Sequence, residues 1–483
     1  MTATLLWLRQ DLRLQDNQAL QQACLRNLPI IPLYILDTTT SKPWAMGGAQ
    51  QWWLHHSLIS LGKSFEEKGL KLILRRGNPL EILKDVLKET QASALYWNRC
   101  YQPYTIERDR ALKTHFKQVG IEVESFNSFL LFEPWTILTY KKEPIRVYRY
   151  FWKACLKNKT PDPPVEVPNT LLPFAGNVAS DQLQDWNLLP KISWDVGFGQ
   201  EWQPGEQGAQ SRLSEFVETN ALVNYRQDRS RPDYHGSSKL SPHLHFGEIG
   251  PRQIWSRIHQ LGESSSGAKK YLREIGWREF CAYLLYHFPT FPDQPFQSKF
   301  TKIKWQHSQE SLTCWQKGCT GYPIVDAGMR QLWYTGWMHN RVRMIMASFL
   351  CKHLLVDWTY GEKWFWDTLV DADLASNAIN WQWVVGSGIS ASSYVRIFNP
   401  ILQGEKFDPE GNYVRTWVPE LKNLPKSYIH QPWAATEDIL QKAGIVLGQD
   451  YPRPIVEHTK ARRTALEFYG DKKKIKDNTH DAT

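Results

Sequence analysis

The first 130 residues alternate short apolar runs with segments whose apolar residues recur at helical spacing. The helical segments include 52–69 and 79–89, and Asn78 and Pro79 supply a cap and a first-turn proline for the second of them. Strands that alternate with helices predict a parallel sheet with helices on both faces. Five strands are predicted, at LLWL (5–8), IIPLYIL (30–36), KLILR (71–75), ALYW (94–97) and IEVESF (121–126).

The pattern changes after residue 132. Segment 160–173 is rich in proline and segment 197–208 is rich in glycine, which is typical of connectors and surface loops. Apolar residues then recur at helical spacing, and no second group of strands is predicted. The helical segments include 271–288, 327–336 and 340–355. We therefore predict an α/β domain at 1–132, a long connector at 133–204, an all-helical domain at 205–470 and a polar tail at 471–483.

The composition adds two unusual features, 23 tryptophans and a net charge of +9 among 483 residues. A basic excess favours an anionic partner, in the simplest case nucleic acid, although a soluble basic protein would show the same excess. Core packing is the ordinary explanation for any single tryptophan. The α/β segment lacks the G-x-G-x-x-G pattern, so it need not hold a dinucleotide in the Rossmann manner.

Cysteine usage and hydropathy bear on the cellular location. The seven cysteines include no C-x-x-C pair, and Cys314 and Cys319 lack the second ligand pair of a zinc site, so no metal site is predicted. The odd number of cysteines predicts free thiols in a reducing compartment. The N-terminal residues do not resemble a signal or transit peptide, and no apolar run is long enough to span a membrane. These features together predict a cytoplasmic protein.

Two short segments of the helical domain have the chemistry of a ligand site. The small hydroxyl residues and the lysine of Gly236–Pro242 could cradle a phosphate, or they could form a capping loop before Pro242. Glu274, Trp277 and Arg278 share one helix face and could bind a nucleobase through a carboxylate, an indole and a guanidinium. The alternative for these three is an exposed helix with an i,i+4 ion pair between Glu274 and Arg278.

Two further segments carry charge beside indoles. Arg341 and Arg343, in WMHNRVR (337–343), face different sides of a helix, so one could contact phosphate while the other pairs with Asp371 or Asp373. Surface charge is the alternative. The run NAINWQWVVGSG (377–388) places indoles, amides and nearby carboxylates together, which suits the polar rim of a flavin or sugar, or electron transfer by indole. Core packing is the alternative for each tryptophan.

The chain resembles the DNA photolyase/cryptochrome family along essentially its whole length. WMHNR (337–341) is similar to the cyclobutane-dimer photolyases rather than to the (6-4) photolyases, and MGGAQQWWLHHSL (46–58) and WNRCYQPY (97–104) resemble the bacterial class III subgroup. The resemblance is carried by LLWLRQDLRLQDNQAL (5–20), SSKLSPHLHFGEIGPRQIW (237–255), REIGWREF (273–280), TGYPIVDAGMRQLWYTGWMHNRVRMIMASFL (320–350), DADLASNAINWQW (371–383) and RIFNPILQGEKFD (396–408).

The resemblance implies an FAD inside the helical domain. It implies that Arg343 pairs with Asp371 and that Asn377 lies beside flavin N5. Two positions depart from the family: Lys239 replaces an arginine of many relatives, and Ala378 replaces a second asparagine of several dimer photolyases. The implied FAD contacts are Tyr225, Ser237, Ser238, Lys239, Leu240, Ser241, Glu274, Trp277, Arg278, Asn340, Arg343, Asp371, Asp373 and Asn377.

The resemblance also implies light-driven repair of cyclobutane pyrimidine dimers in ultraviolet-damaged DNA. Trp381, Trp358 and Trp305 match an electron-transfer chain from the flavin to the surface. The substrate site would contain Glu274, Trp277, Asn340, Arg341, Met344 and Trp383, and the DNA contacts would be Arg229, Trp277, Asn340, Arg341 and Trp383.

An antenna chromophore in the α/β domain is a further implication. Methenyltetrahydrofolate and deazaflavin are both open, and Trp44 with Gly47 and Gly48 would contribute to a folate site. We expect a monomer without an obligate protein partner. The rival functions are those of a cryptochrome photoreceptor and of a (6-4) photolyase.

Overall fold

A computed structural model of the chain describes residues 2–39, 44–261, 265–306, 308–389 and 395–470. The predicted polar tail, 471–483, lies outside these residues. The N-terminal part contains five strands and four helices in strict alternation. They are β1 (Thr4–Leu8), α1 (Gln18–Leu25), β2 (Ile30–Asp37), α2 (Gly48–Glu66), β3 (Ile73–Gly77), α3 (Pro79–Thr90), β4 (Ala94–Asn98), α4 (Pro103–Gln118) and β5 (Glu122–Phe126).

The sheet is parallel with strand order β3-β2-β1-β4-β5. Its central strand β1 is buried along its whole length, and Trp7 pairs in register with Leu33 on one side and Trp97 on the other. Such burial on both faces explains why the strands read as continuous apolar runs. Helix α3 begins as predicted, because the Asn78 side chain accepts a hydrogen bond from the Leu80 N–H and Pro79 occupies the first turn.

The rest of the described chain is helical, and no strand of the sheet lies beyond β5 in the part of the chain that the structure covers. Several long helices pack around one large apolar core. The helices are α5 (Tyr148–Asn158), α6 (Phe198–Glu201), α7 (Glu206–Glu218), α8 (Asn220–Asp228), α9 (Ser241–Phe246), α10 (Pro251–Gln260), α11 (Ser266–His287), α12 (Gln309–Lys317), α13 (Pro323–Thr335), α14 (Asn340–Ser348), α15 (Trp358–Thr368), α16 (Leu374–Val385), α17 (Pro400–Phe407), α18 (Asn412–Trp417), α19 (Glu437–Ala443) and α20 (His458–Phe468).

The single helix suggested by the pattern of 340–355 is divided in the structure. Helix α14 ends at Ser348 and is followed directly by one π-helical turn, Phe349–His353. All five residues of this turn are buried, including Lys352, whose ammonium donates to the Arg396 carbonyl. Apolar spacing cannot distinguish an α-turn from a π-turn, and π-turns inside helices are often found at functional sites.

The connector packs on both domains. Its first part, with α5, joins the core of the helical domain, where the Tyr148 ring lies against helix α11. Its later part contributes Leu171, Leu183 and Trp186 to a core shared with the α/β domain. Across the domain interface, the Trp53 indole donates to the carboxylate of Glu248. No helix of the described residues is long and apolar enough to cross a membrane.

Candidate active site

A partly buried ion pair between α14 and the residues just before α16 forms the base of the site. Arg343 Nη2 lies 2.8 Å from Asp371 Oδ2, and Arg343 Nε donates to the Met338 carbonyl. This is the pairing that the resemblance implied. The second oxygen of Asp371, Oδ1, is buried and has no hydrogen-bond partner among the described residues. A ligand with an N–H group would satisfy it.

Arg278 supplies the complementary donor. Its Nη1 donates to the Phe129 carbonyl, 2.8 Å away, while its Nη2 is buried without a partner in the described chain. Burial lowers the pKa of Arg278, although Glu279 and Asp373 oppose this effect with their negative charges. The alternative of an i,i+4 pair with Glu274 is not what the structure shows. Arg278 contacts its neighbour Glu279 instead.

Asp373 and Asn377 lie on the first turns of α16. Asp373 caps the helix, since its side chain accepts from the Ser376 N–H. Asn377 Nδ2 donates to the Glu362 carbonyl of α15, 3.0 Å away, which fixes the orientation of its amide. Ala378, where several relatives have a second asparagine, is fully buried. The helix start therefore offers two ordered polar side chains and one apolar position.

The loop 236–241 is tied to its surroundings by its hydroxyl groups. Tyr271 donates its hydroxyl to Ser238 Oγ at 2.9 Å, and the Trp337 indole donates to Ser241 Oγ at 3.3 Å. Leu240 and Tyr225 are buried in the core beside this loop. Ser237 and Ser238 also line a cavity of about 330 Å³ between the loop and helices α7 and α8.

Lys239 has an unusual backbone and an occupied side chain. Its φ of 51° is left-handed, a conformation that residues other than glycine rarely adopt. Its ammonium lies 2.5 Å from Glu201 Oε1 and over the Trp337 ring. The charge of Lys239 is therefore already paired with a carboxylate. What the loop offers to a phosphate is chiefly hydroxyl and backbone N–H groups.

These residues fit the FAD that the sequence implied. The phosphates of FAD require donors, and the polar edge of its flavin ring requires both donors and acceptors. The unpartnered Arg278 Nη2, the unpartnered Asp371 Oδ1 and the hydroxyl loop provide this combination.

Glu274 has both of its carboxylate oxygens in ion pairs. Oε2 lies 2.8 Å from Arg229 Nη2, and Oε1 lies 2.7 Å from Lys270 Nζ. The Glu274 charge also contributes to the raised pKa of the Tyr148 hydroxyl, of which burial is the main cause. Two cations thus orient the Glu274 carboxylate at the edge of the site.

Trp277 is half-buried and stacked. Its ring lies 3.8 Å from the Tyr148 ring with an angle of 9° between the planes. The Tyr148 hydroxyl donates to the Arg273 carbonyl, which fixes the tyrosine against α11. One face of the indole is therefore covered by Tyr148.

Three arginines surround the buried His339. Burial, followed by the charges of Arg229, Arg341 and Arg343, lowers the pKa of His339 to about 3, so the imidazole is neutral at ordinary pH. Its Nδ1 accepts from the Arg341 N–H and caps α14. Asn340, the first residue of α14, is exposed.

Arg341 and Trp383 belong to the same rim. The Arg341 guanidinium lies over the Phe407 ring, and its pKa is lowered by burial and by the charges of Arg229 and Arg396. Arg396 in turn lies over the Trp383 ring, 5.5 Å from its centre. Half-buried Met344 follows Arg341 by three residues, on the same face of α14. The structure thus brings Arg229, Arg341 and Trp383 together with Arg396 in one basic rim.

Trp381 and Trp358 are both buried between α15 and α16, and each has 3% of its surface exposed. The Trp381 ring packs directly over Gly361, one turn after Trp358. Half-buried Trp305 packs against the rings of Phe468 and Tyr469. The following residue, Gln306, donates its N–H to the Leu355 carbonyl, three residues before Trp358. Two of the indoles therefore lie in the core, and Trp305 lies nearer the surface.

The predicted antenna residues lie at the interface between the two domains. A Cβ on Gly47 would stand 2.5 Å from the Trp366 carbonyl, so close backbone packing explains this glycine. The Gly48 N–H donates to Asp367 Oδ1. Trp44 donates to Asp293 Oδ1 and packs edge-on against Trp366.

Four contributing residues were not identified from the sequence. Lys270 could have been found, because it stands four residues before Glu274 on the same helix. His339 is part of WMHNR (337–341), a segment that indicated only the subgroup of the family and no role for the histidine. Tyr148 and the buried Glu362, whose pKa is raised by burial, have partners distant in sequence and gave no local signal.

Comparisons with known proteins agree with this geometry. Residues 4–169 match DNA photolyase, and residues 271–471 match the FAD binding domain of DNA photolyase. The chain is 48% identical over 473 residues to a deoxyribodipyrimidine photo-lyase of Agrobacterium fabrum, covering 97% of this chain and 98% of that protein. The chain belongs to the DNA photolyase/cryptochrome family.

Two solved structures place the chain within this family. A bacterial class III photolyase from Agrobacterium tumefaciens matches with a TM-score of 0.94 and 48% identity over 98% of each chain. A cryptochrome of Synechocystis sp. PCC6803 matches with a TM-score of 0.88 and 31% identity, covering 97% of this chain and 99% of that one. The five-stranded α/β domain and the helical FAD-binding domain predicted from the sequence are therefore confirmed.

Proposed function

We propose that this protein is a deoxyribodipyrimidine photo-lyase that uses light to split cyclobutane pyrimidine dimers in DNA. The observation that carries the proposal is the arginine cluster around His339. In this cluster Arg343 pairs with Asp371 at the expected flavin site, and Arg229 pairs with Glu274 at the expected lesion site. One cluster of charges thus connects the expected flavin site with the expected lesion site, which the reaction must bring together.

The residues that would hold FAD are those of the hydroxyl loop and of α11, α14 and α16. When bound in its reduced form, FAD supplies an electron to the lesion under blue light. Asp371 would accept from the flavin edge, Arg278 would donate through its unpartnered Nη2, and Asn377 would hold its amide beside the ring. Arg343 would keep the Asp371 carboxylate correctly oriented and compensate its charge.

The dimer would reach this site only after leaving the DNA helix. Flipping costs a few kcal/mol and costs less for a damaged pair, which gives selectivity without sequence readout. Glu274, held by Lys270 and Arg229, would accept a base N–H. Trp277 and Trp383 would stack on the bases, while Asn340 and Met344 would line the entrance and Arg341 would contact phosphate.

Trp381, Trp358 and Trp305 would carry electrons inward from the surface. The support is the burial of Trp381 and Trp358, the greater exposure of Trp305, and the packing of Trp381 over the helix that Trp358 begins. Indole is readily oxidised, and no polar side chain is required to move an electron between packed rings. These residues would maintain the reduced cofactor and would not contact the lesion.

A folate-type antenna would lie near Trp44. This indole belongs to a cluster with Trp366, Asp293 and Glu362. Burial and the charge of Asp293 raise the pKa of Glu362 well above its ordinary value, and its Oε1 has no partner in the described chain. A buried carboxyl oxygen without a partner in the described chain suits the ring N–H groups of a pterin. We further propose a monomer that acts in the cytoplasm without an obligate protein partner.

A repair assay tests the proposal. Oligonucleotides that carry one thymine dimer or one (6-4) photoproduct are incubated with the FAD-loaded protein in blue light or in the dark. We expect the protein to repair the dimer in blue light but not in the dark, and to leave the (6-4) product unrepaired under both conditions. Light-driven FAD reduction without repair of either lesion would favour a cryptochrome function, because a cryptochrome shares this fold.

A further inference from the structure

The turn between α12 and α13 contains two cysteines in a Schellman C-cap. The Cys319 N–H donates to the Cys314 carbonyl at 3.0 Å, and the Gly318 N–H donates to the Trp315 carbonyl at 3.2 Å. Gly318 is left-handed, with a φ of 64°. A contact between the flanking side chains, here those of Cys314 and Cys319, frequently accompanies a Schellman motif. Two thiols therefore stand where most proteins place two apolar residues.

The thiols interact directly in the reduced structure. Cys319 Sγ lies 3.5 Å from the Cys314 carbonyl oxygen. Burial and the Cys314 thiol together raise the pKa of Cys319 to about 11. Both cysteines are half-buried and reachable by a small molecule, whereas four of the other five are buried.

The backbone of the turn is fixed independently of the cysteines. Asp326 accepts hydrogen bonds from the N–H and hydroxyl of Thr320 and from the N–H of Gly321. Arg330 Nε donates to the Gly318 carbonyl at 3.0 Å. Because the turn is held from both sides, the two thiols remain adjacent and bond formation requires no loop closure. Such preorganisation favours an intramolecular bond over two separate adducts.

We propose that Cys314 and Cys319 form a reversible disulfide, which makes this turn a redox modification site. The oxidant would be a low-molecular-weight disulfide. The Cys314 thiolate attacks one of its sulfurs and releases one small thiolate, and the Cys319 thiolate then attacks the sulfur of Cys314 and releases the second. In total, two protein thiols lose two electrons and two protons, and the small disulfide is reduced to two thiols.

The disulfide would fix a turn that lies next to buried aromatic residues of the helical domain. Trp315, adjacent to Cys314, stacks near Phe365 and lies 6.4 Å from the ring of Trp381. Its indole donates to the Met346 carbonyl of α14. The turn is thus close to Trp381, which we propose to be an electron-transfer residue.

The sequence permits a direct test by peptide mapping. Trypsin cleaves after Lys304, Lys317 and Arg330, so it separates Cys314 in peptide 305–317 from Cys319 in peptide 318–330. The native full-length protein is treated with glutathione disulfide, at a concentration that modifies the thiols of the urea-unfolded chain. Free thiols are then alkylated, and the tryptic peptides are measured by mass spectrometry.

We expect the two peptides to appear as one linked species that has lost two hydrogens and separates on reduction. Cys314→Ser should abolish the linked species, whereas the matched control Cys24→Ser, in a half-buried thiol of the α/β domain, should leave it unchanged. Recovery of both peptides as alkylated free thiols, or as two separate glutathione adducts, would overturn the proposal. Linkage between chains, seen as a dimer on a non-reducing gel, would also overturn it.

Discussion

Asp371 has two carboxylate oxygens in different situations. Oδ2 accepts from Arg343, whereas Oδ1 is buried without a partner in the described chain. Asp371→Asn should weaken FAD retention, because it removes the charge that compensates Arg343. The lost charged hydrogen bond should also cost about 1.5–3 kcal/mol of stability. The measurement is the FAD content of the purified protein together with its melting temperature.

Asp438→Asn is the matched control, since Asp438 forms an exposed ion pair with Lys442 far from the site in sequence. This control should retain both FAD and stability. If Asp371→Asn keeps full FAD content, the assignment of Asp371 as a flavin ligand is wrong.

His339 should make stability depend on pH. Its folded pKa of about 3 lies below the ordinary value of 6.5, so the unfolded chain binds the proton more readily. The contribution of the neutral imidazole is complete above pH 6.5 and is lost as the pH falls towards 3. Its slope approaches about 1.4 kcal/mol per pH unit between these values.

The measurement is the difference in melting temperature between the wild type and His339→Asn from pH 7 to pH 5. Asparagine can also cap the helix, so the difference isolates the titration. As the pH falls, the melting temperature of the wild type should decrease relative to that of His339→Asn. A constant difference for His339 would mean that burial and the arginine charges do not lower the pKa of the imidazole.

Helices α15 and α16 meet at Gly361. A Cβ at this residue would stand 2.2 Å from Trp381 Cη2 and 2.6 Å from Leu350 Cδ2, and neither group can move away freely in the core. Gly361→Ala should therefore destabilise the protein by about 1–3 kcal/mol through overpacking. It should also slow light-driven FAD reduction, because it displaces the Trp381 ring.

Gly62 in α2 provides the opposite case, because a Cβ there would meet nothing within 4 Å. Gly62→Ala should raise stability by about 0.5–1 kcal/mol, since alanine is the better helix residue. The two melting temperatures should therefore shift in opposite directions. Equal shifts would contradict the close packing of α15 on α16.

At this scale the sequence predicted the five strands and several of the helices. Each of the five apolar runs coincides with a strand to within two residues at either end, because a buried parallel strand has a strong local signal. The strand order and the π-turn at Phe349–His353 could not be predicted, since both depend on contacts between distant residues. Likewise, the partners of Glu274 include Lys270, which is local, and Arg229, which directly follows helix α8.

The whole molecule has a basic rim where several arginines lie close together. Binding to dimer-containing DNA should weaken as salt rises, because phosphate contacts release counterions. Arg341→Ala should reduce the salt slope by about one and weaken binding uniformly across sequences. The measurement is the Kd for dimer DNA at several salt concentrations.

Exposed Lys442, changed to alanine, is the control for charge alone and should leave the slope unchanged. A slope that falls equally for both variants would indicate a general effect of net charge. An affinity independent of salt would contradict a DNA site on this face.

The composition indicated the anionic partner only in general terms. A net charge of +9 does not say where the charge lies, and the arginines at 229, 341 and 396 meet only after the chain has folded. The identities of the site residues came from whole strings that resemble the family. The stacking of Tyr148 on Trp277 and the close approach of Gly47 to Trp366 come from the connector and the domain interface, for which no local pattern exists.

The central claim is that light-driven repair divides the work between two tryptophans in the run Trp381-Gln382-Trp383. The most direct measurement is the blue-light repair yield on a thymine-dimer oligonucleotide after chemical reduction of FAD, in Trp381→Phe and Trp383→Ala. Trp381→Phe should repair like the wild type, because the electron supply has been provided chemically. Trp383→Ala should bind the dimer more weakly by about 1–3 kcal/mol and should repair less at limiting protein. Equal loss of repair in both variants, in proportion to lost stability, would show that both indoles serve only core packing and would contradict the account.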